Sequence, residues 1–115
     1  TIDSYDINAF TRTLFDMLDR RICNLSPDVK REFKKLYIAY KLDTNFVDIV
    51  VQKQRLRISL NMKFSEIHDP KGLCKDITGL GRWGNGDVEV FFEHTSEIDD
   101  VMELIEQSYK KQADE

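Results

Sequence analysis

The sequence has two cysteines and two histidines that could act as nucleophiles or metal ligands: Cys23, His68, Cys74 and His94. The histidines form neither an H-x-x-x-H nor an H-x-H pair, so they give little indication of a metal site. Cys23 lies in an amphipathic helical pattern, which favours a buried thiol over a reactive one. We therefore predict no catalytic residue, no metal and no cofactor, and we do not expect an enzyme.

The glycine-rich segment from Gly79 to Gly84 matches the G-x-G-x-x-G pattern of dinucleotide-binding loops. That pattern binds pyrophosphate when a strand enters the loop and a helix leaves it. Here a short helix is predicted before the segment and a strand after it. The reversed order favours a turn that leads into the last strand, with Asn85 and Gly86 at positive φ.

Basic and aromatic side chains alternate along one face of the predicted sheet, where they could contact a partner. Single-stranded nucleic acids are bound by such faces, because phosphates need cations and bases stack on aromatic rings. The alternative is that Arg55 and Arg57 are neutralised across the strands by Glu89 or Glu93, and Lys41 by Asp48. The candidate contacts to a partner or to nucleic acid are Lys35, Tyr37, Lys53, Arg55, Arg57, Trp83 and Asn85.

Hydrophobic periodicity predicts the elements that position these residues. Helical spacing predicts one helix over 6–24, with an apolar face of Phe10, Leu14, Phe15, Leu18 and Ile22. A second helix is predicted over 96–112, with Ser96 as its N-cap. Strands are predicted over 34–42, 46–52, 55–62 and 87–94, and a short helix over 70–77.

The first three predicted strands agree on one register. A turn at Lys53-Gln54 pairs Val50 with Arg57 and Asp48 with Ser59. This register collects the apolar residues of the three strands, Leu36 included, on one face, and a slip of one residue would invert them all. The polar face would then carry Phe46 beside Asp48.

The predicted order of elements is α-β-β-β-(short α)-β-α. We therefore expect an α+β fold, a four-stranded mainly antiparallel sheet with two long helices packed on one face.

Length and composition limit the class of protein. The chain has 115 residues, 41% of them hydrophobic, and a formal net charge of −4. This predicts a single domain over 1–115 and argues against general polyanion binding. There is no apolar run long enough for a bilayer, no signal peptide and no disulfide framework, so a cytoplasmic location is predicted. The chain starts at Thr1 and not at Met, from which we expect the C-terminal segment of a longer protein.

The segment Gly81-Arg82-Trp83-Gly84-Asn85-Gly86-Asp87 and the strand residues from Lys35 to Asn61 resemble an uncharacterised bacterial and archaeal domain family. In that family the domain often ends longer proteins described as predicted transport proteins or associated with restriction and defence. The resemblance covers almost the whole chain, from about Leu14 to Gln112. It implies a C-terminal accessory domain and supplies no catalytic residue.

Two functions follow as hypotheses. The first is a non-enzymatic accessory or interaction domain of a larger intracellular protein, which contacts another domain or a protein partner through the open sheet face and the Trp83 loop. The alternative is a nucleic-acid-binding module that uses the same basic and aromatic face and belongs to a restriction or defence system. An enzyme would need a cleft that brings Asp48 or Asp87 to a basic partner. No membrane contact is expected.

Overall fold

The computed structural model describes residues 1–80 and 86–114. Within these residues, two helices and six strands follow one another, with single 3-10 turns at Ile2–Ser4, Phe64–Glu66 and Thr95–Glu97. The elements are α1 (Ala9–Cys23), β1 (Lys30–Phe33), β2 (Ile38–Lys41), β3 (Asn45–Val51), β4 (Leu56–Leu60), β5 (Lys75–Asp76), β6 (Val88–Phe92) and α2 (Ile98–Ala113).

All the neighbouring strands of the sheet are antiparallel, in the order β1-β2-β3-β4-β6-β5. The α+β class and the antiparallel sheet are confirmed, but the prediction of four strands was wrong. The missed strand β1 reads Lys-Arg-Glu-Phe, and such a charged edge strand has no apolar alternation to reveal it. The observed order of elements along the chain therefore differs from the predicted one.

The short helix predicted over 70–77 was also wrong. Its place is taken by a loop and by the two-residue strand β5. The carboxylate of Asp69 accepts hydrogen bonds from the backbone N–H groups of Leu73 and Cys74, at 2.9 and 2.7 Å. A side chain that takes up these donors replaces helical hydrogen bonds, which is how Asp favours loops.

The predicted register of the β3–β4 hairpin is confirmed. Val50 pairs with Arg57 and Asp48 with Ser59. Leu36 does not join the apolar face, because it lies in the β1–β2 turn and is 46% exposed. The placing of Phe46 on the polar face was wrong as well.

The register shifts between Tyr40 and Lys41, where β2 meets β3. Such a bulge re-aims side chains. Phe46 is fully buried, with its ring centroid 5.3 Å from that of Tyr109 on α2 in an edge-to-face contact.

A side chain caps the start of α1, whereas Glu97, the N-cap residue of α2, makes no side-chain capping hydrogen bond to its helix. The Asn8 side chain accepts a hydrogen bond from the backbone N–H of Thr11 and caps α1. At the start of α2 the predicted cap Ser96 was wrong. The Glu97 carboxylate accepts instead from the backbone N–H groups of Glu93 and His94, both at 2.8 Å.

One hydrophobic core joins both helices to the same face of the sheet. Leu14 and Leu18 of α1 and Met102 and Ile105 of α2 are buried with the inward side chains of β2, β3, β4 and β6. Neither of the helices described has the length and apolar character needed to cross a bilayer. We call the opposite face of the sheet the outer face, and among the predicted contact residues Arg57 lies on it, in register with Val50 and Phe91.

Candidate interaction surface

The predicted contact residues that the structure describes lie at one end of the sheet. Antiparallel strands reverse direction at each turn, so the β1–β2 and β3–β4 turns lie at this same end. We call the following five residues the hairpin-end surface: Lys35, Tyr37, Lys53, Arg55 and Arg57. The other two predicted contacts, Trp83 and Asn85, lie outside the described residues.

The N-terminal segment fixes the backbone of both turns. The Tyr5 hydroxyl lies within hydrogen-bond distance of the carbonyls of Lys34 and Tyr37, the second at 2.9 Å, and shares its one proton between them. Burial raises the pKa of Tyr5, so its hydroxyl keeps the donated proton. The Asn8 side-chain amide donates to the Lys53 carbonyl at 2.6 Å. These bonds hold the turns while the side chains of Lys35 and Lys53 stay exposed.

Arg55 is held by neutral partners. Its guanidinium carbon lies 3.7 Å from the centroid of the Phe91 ring, and its Nε donates to the Gln52 side-chain oxygen at 2.8 Å. A cation over an aromatic face gains roughly 0.5–2 kcal/mol. Arg55 therefore keeps its full positive charge at the surface, and the alternative that Glu89 or Glu93 neutralises it is not met.

Arg57 has a different environment. It pairs with Val50 on one side and Phe91 on the other, and its Nε lies 3.7 Å from the Glu89 carboxylate. Its side chain is only 18% exposed. The alternative of cross-strand neutralisation therefore holds for Arg57. The one suggested for Lys41 was wrong, since Lys41 pairs with Glu32.

The centre of the outer face is closed, which corrects the prediction of an open sheet face. Asp48, Ser59 and Glu89 follow one another in a row across β3, β4 and β6. They are 2%, 4% and 0% exposed, and Asp48 accepts a hydrogen bond from the Asn45 side chain at 3.0 Å. Buried carboxylates need such partners. A partner can therefore reach the hairpin-end surface but not the central row.

The nucleophile and ligand candidates are not brought together. Burial and the nearby Asp69 raise the pKa of Cys74 to about 12, which leaves very little thiolate at neutral pH. Among the described residues, no three His, Cys, Asp or Glu side chains are grouped to hold a metal ion. Gly79 has φ of +77° in a turn before the segment 81–85, which lies outside the described residues.

One surface feature was missed by the sequence. Phe10 was predicted on the buried face of α1 and is instead 47% exposed. It lies at the second position of α1 and lines a groove of about 590 Å³ between the start of that helix and the β3–β4 turn. Lys53 lines the groove as well as the hairpin-end surface. Helical spacing could not predict the exposure of Phe10, because it indicates on which face of the helix a residue lies but not how far along the helix the core extends.

The chain belongs to a protein family that is described as a domain of unknown function, DUF5655, whose model matches residues 3–112. It is similar to an "Uncharacterized protein" of Haemophilus influenzae, with 40% identity over 105 residues. The match covers 91% of this chain and 35% of that protein, so the chain spans about a third of the length of this relative. No solved structure matches significantly.

Proposed function

We propose that this chain is a non-enzymatic accessory domain of a longer protein inside the cell, which contacts another domain of that protein through the hairpin-end surface. The observation that carries the proposal is a set of cations at one end of the sheet, the exposed Lys35 and Lys53 and the partly buried Arg55, on turns that internal hydrogen bonds hold in place. A turn whose backbone is already ordered loses little entropy when a partner binds, which favours recognition.

The length of the Haemophilus influenzae relative supports this proposal. About two thirds of that protein lies outside the match, so it has ample chain to form a partner domain. Placement at the C-terminal end of a longer protein, beside a restriction, defence or transport function, is part of the same proposal and is supported by the family resemblance. The two free cysteines are compatible with a reducing compartment.

A chimera tests the proposal. The matched third of the Haemophilus influenzae relative is replaced by this chain, and native-state hydrogen exchange measures the free energy of unfolding of the domain in the chimera and alone. We expect Lys53→Glu to cost roughly 1 kcal/mol more in the chimera than in the isolated chain, because only there does it face a docked partner.

The matched control is Lys110→Glu. Lys110 is exposed in the last turn of α2, at the opposite end of the sheet, and the charge change is the same. It should cost the same in both contexts. Equal costs for Lys53→Glu in both contexts would contradict docking through this surface. Arg57→Ala is unsuitable for this test, because it would leave the buried Glu89 without one of its ion pairs.

Nucleic-acid binding is the second candidate, and the contact of the Arg55 guanidinium with the Phe91 ring favours it. Rings and cations side by side suit bases and phosphates. Fluorescence anisotropy with a labelled 12-nucleotide single strand tests it between 50 and 200 mM salt. Binding by two or three cations should weaken with a log–log slope of roughly −1.5 to −2. An affinity that does not change with salt would exclude this mode.

A further inference from the structure

The groove beside Phe10 continues the hairpin-end surface around the end of the sheet. Its volume is about 590 Å³, and it is lined by the start of α1, by the β3–β4 turn and by Glu93 and His94 after β6. Lys53 belongs to both features. A segment of a partner that lies along Arg55 and Lys53 would therefore enter the groove next.

The groove offers an apolar contact. Phe10 is 47% exposed, whereas Leu14 and Leu18, one and two turns further along α1, are fully buried. A half-exposed phenyl ring gains from any apolar side chain that covers it, because that area then leaves water. An occupant with a large apolar residue at this point fits the groove.

The charges around the groove indicate which charged side chains the occupant should carry. Lys35 and Lys53 are exposed and make no ion pair with the described residues, and Arg55 is held by a ring and an amide. Against these cations stands the carboxylate of Glu93, in the groove itself. Lys35 and Arg55 lie outside the groove, whereas Lys53 and Glu93 both line it. This arrangement suits an occupant with acidic side chains on the three cations and an uncharged residue beside Glu93.

We propose that the occupant is an extended acidic segment of the partner domain, with its carboxylates on Lys35, Lys53 and Arg55 and a large apolar residue beside Phe10. This inference rests on the proposed function and names its partner. A peptide is favoured over a nucleic acid because its apolar residue can lie beside Glu93, whereas the evenly spaced phosphates of a nucleic acid would bring negative charge to that carboxylate as well.

Fluorescence anisotropy of labelled decapeptides with the isolated 115-residue chain tests the inference at low salt. One peptide has a central Phe flanked by Asp and Glu, a second has Ala in place of Phe, and a third has Lys in place of the acidic residues. We expect the first to bind, the second to bind at least fivefold more weakly, and the third not to bind. An oligothymidylate of 12 nucleotides is the competitor from the other class.

Two variants of the chain test whether the peptide binds at the groove and the hairpin-end surface. Lys53→Ala and Phe10→Ala each remove an exposed side chain, and each should weaken binding of the acidic Phe peptide at least fivefold. Lys110→Ala should leave it unchanged. The inference is overturned if the peptide fails to bind, if Lys53→Ala binds it as tightly as the wild type, or if the oligothymidylate binds more tightly. The peptide experiment can fail while Lys53→Glu still costs more stability in the chimera than in the isolated chain. That result would exclude the acidic segment as the occupant but would still support docking through the hairpin-end surface.

Discussion

At the scale of single residues, the charges near the sheet edge are strongly coupled. Glu32 of β1 forms ion pairs with Lys34, at 2.8 Å, and with Lys41 of β2. Hydrogen bonds from Lys34 and then Lys41 lower the pKa of Glu32 from 4.5 to about 2. The folded state therefore favours the carboxylate more than the unfolded state does.

This shift predicts how stability depends on pH. A carboxylate with a lowered pKa in the folded state contributes stability above its unfolded pKa, and that contribution is lost as pH falls from about 4.5 towards 2. In urea unfolding between pH 2 and 6, Glu32→Gln should reduce the fall in the free energy of unfolding in this window. Glu106→Gln, at a carboxylate with no ion pair to the described residues, is the control. An unchanged pH dependence in Glu32→Gln would refute the coupling.

The sequence predicts some residues of the surface well and others poorly. Alternation along β4 placed Arg57 on the outer face, and the hairpin register placed it opposite Val50. The contact between Arg55 and Phe91 joins residues from distant parts of the chain, and only the position of β6 beside β4 reveals it. The spacing of residues in the sequence predicts on which face of the sheet a side chain lies, whereas its neighbours on adjacent strands depend on the order of the strands in the sheet.

At the scale of elements, the approach of β6 to the sheet depends on one glycine. Gly86 has φ of +114°, and a Cβ built on it would lie 2.0 Å from the Leu60 carbonyl oxygen. The next residue, Asp87, donates its backbone N–H to the Met62 carbonyl at 3.2 Å. The chain before β6 thus passes directly against the end of β4.

Gly86→Ala should destabilise the domain by roughly 2–5 kcal/mol, because it adds both backbone strain and a steric overlap with backbone atoms. Gly72→Ala is the control, since φ is also positive there, at +65°, but no atom lies within 4 Å of the added Cβ. It should cost only about 1 kcal/mol. Urea unfolding measures both, and equal losses would show that the close approach to β4 does not matter.

Elements with strong periodicity were predicted and weak ones were not. Both helices and the central strands β3 and β4 bury a regular apolar pattern, which fixes their type and register. The edge strand β1 is charged, and β5 has two exposed residues, so neither carries such a pattern. Hydrogen bonds with a neighbouring strand define them, and those depend on the tertiary fold.

At the scale of the whole molecule, the outer face has two parts. The central row of Asp48, Ser59 and Glu89 is buried, while the cations at the hairpin end remain accessible. The predicted hairpin register placed Asp48 opposite Ser59 on this face, but alternation does not tell whether a face is covered. The accessible part is the one that a partner domain could recognise.

Hydrogen exchange in the Haemophilus influenzae relative tests this central claim most directly. Its full-length chain is compared with its own matched 105-residue segment produced alone, so that both samples share one sequence. We predict slower exchange in the full-length protein at the positions aligned with the turns 34–37 and 52–55. Unchanged exchange at both turns, with slowing only at positions aligned with α1 and α2 or nowhere, would contradict the account.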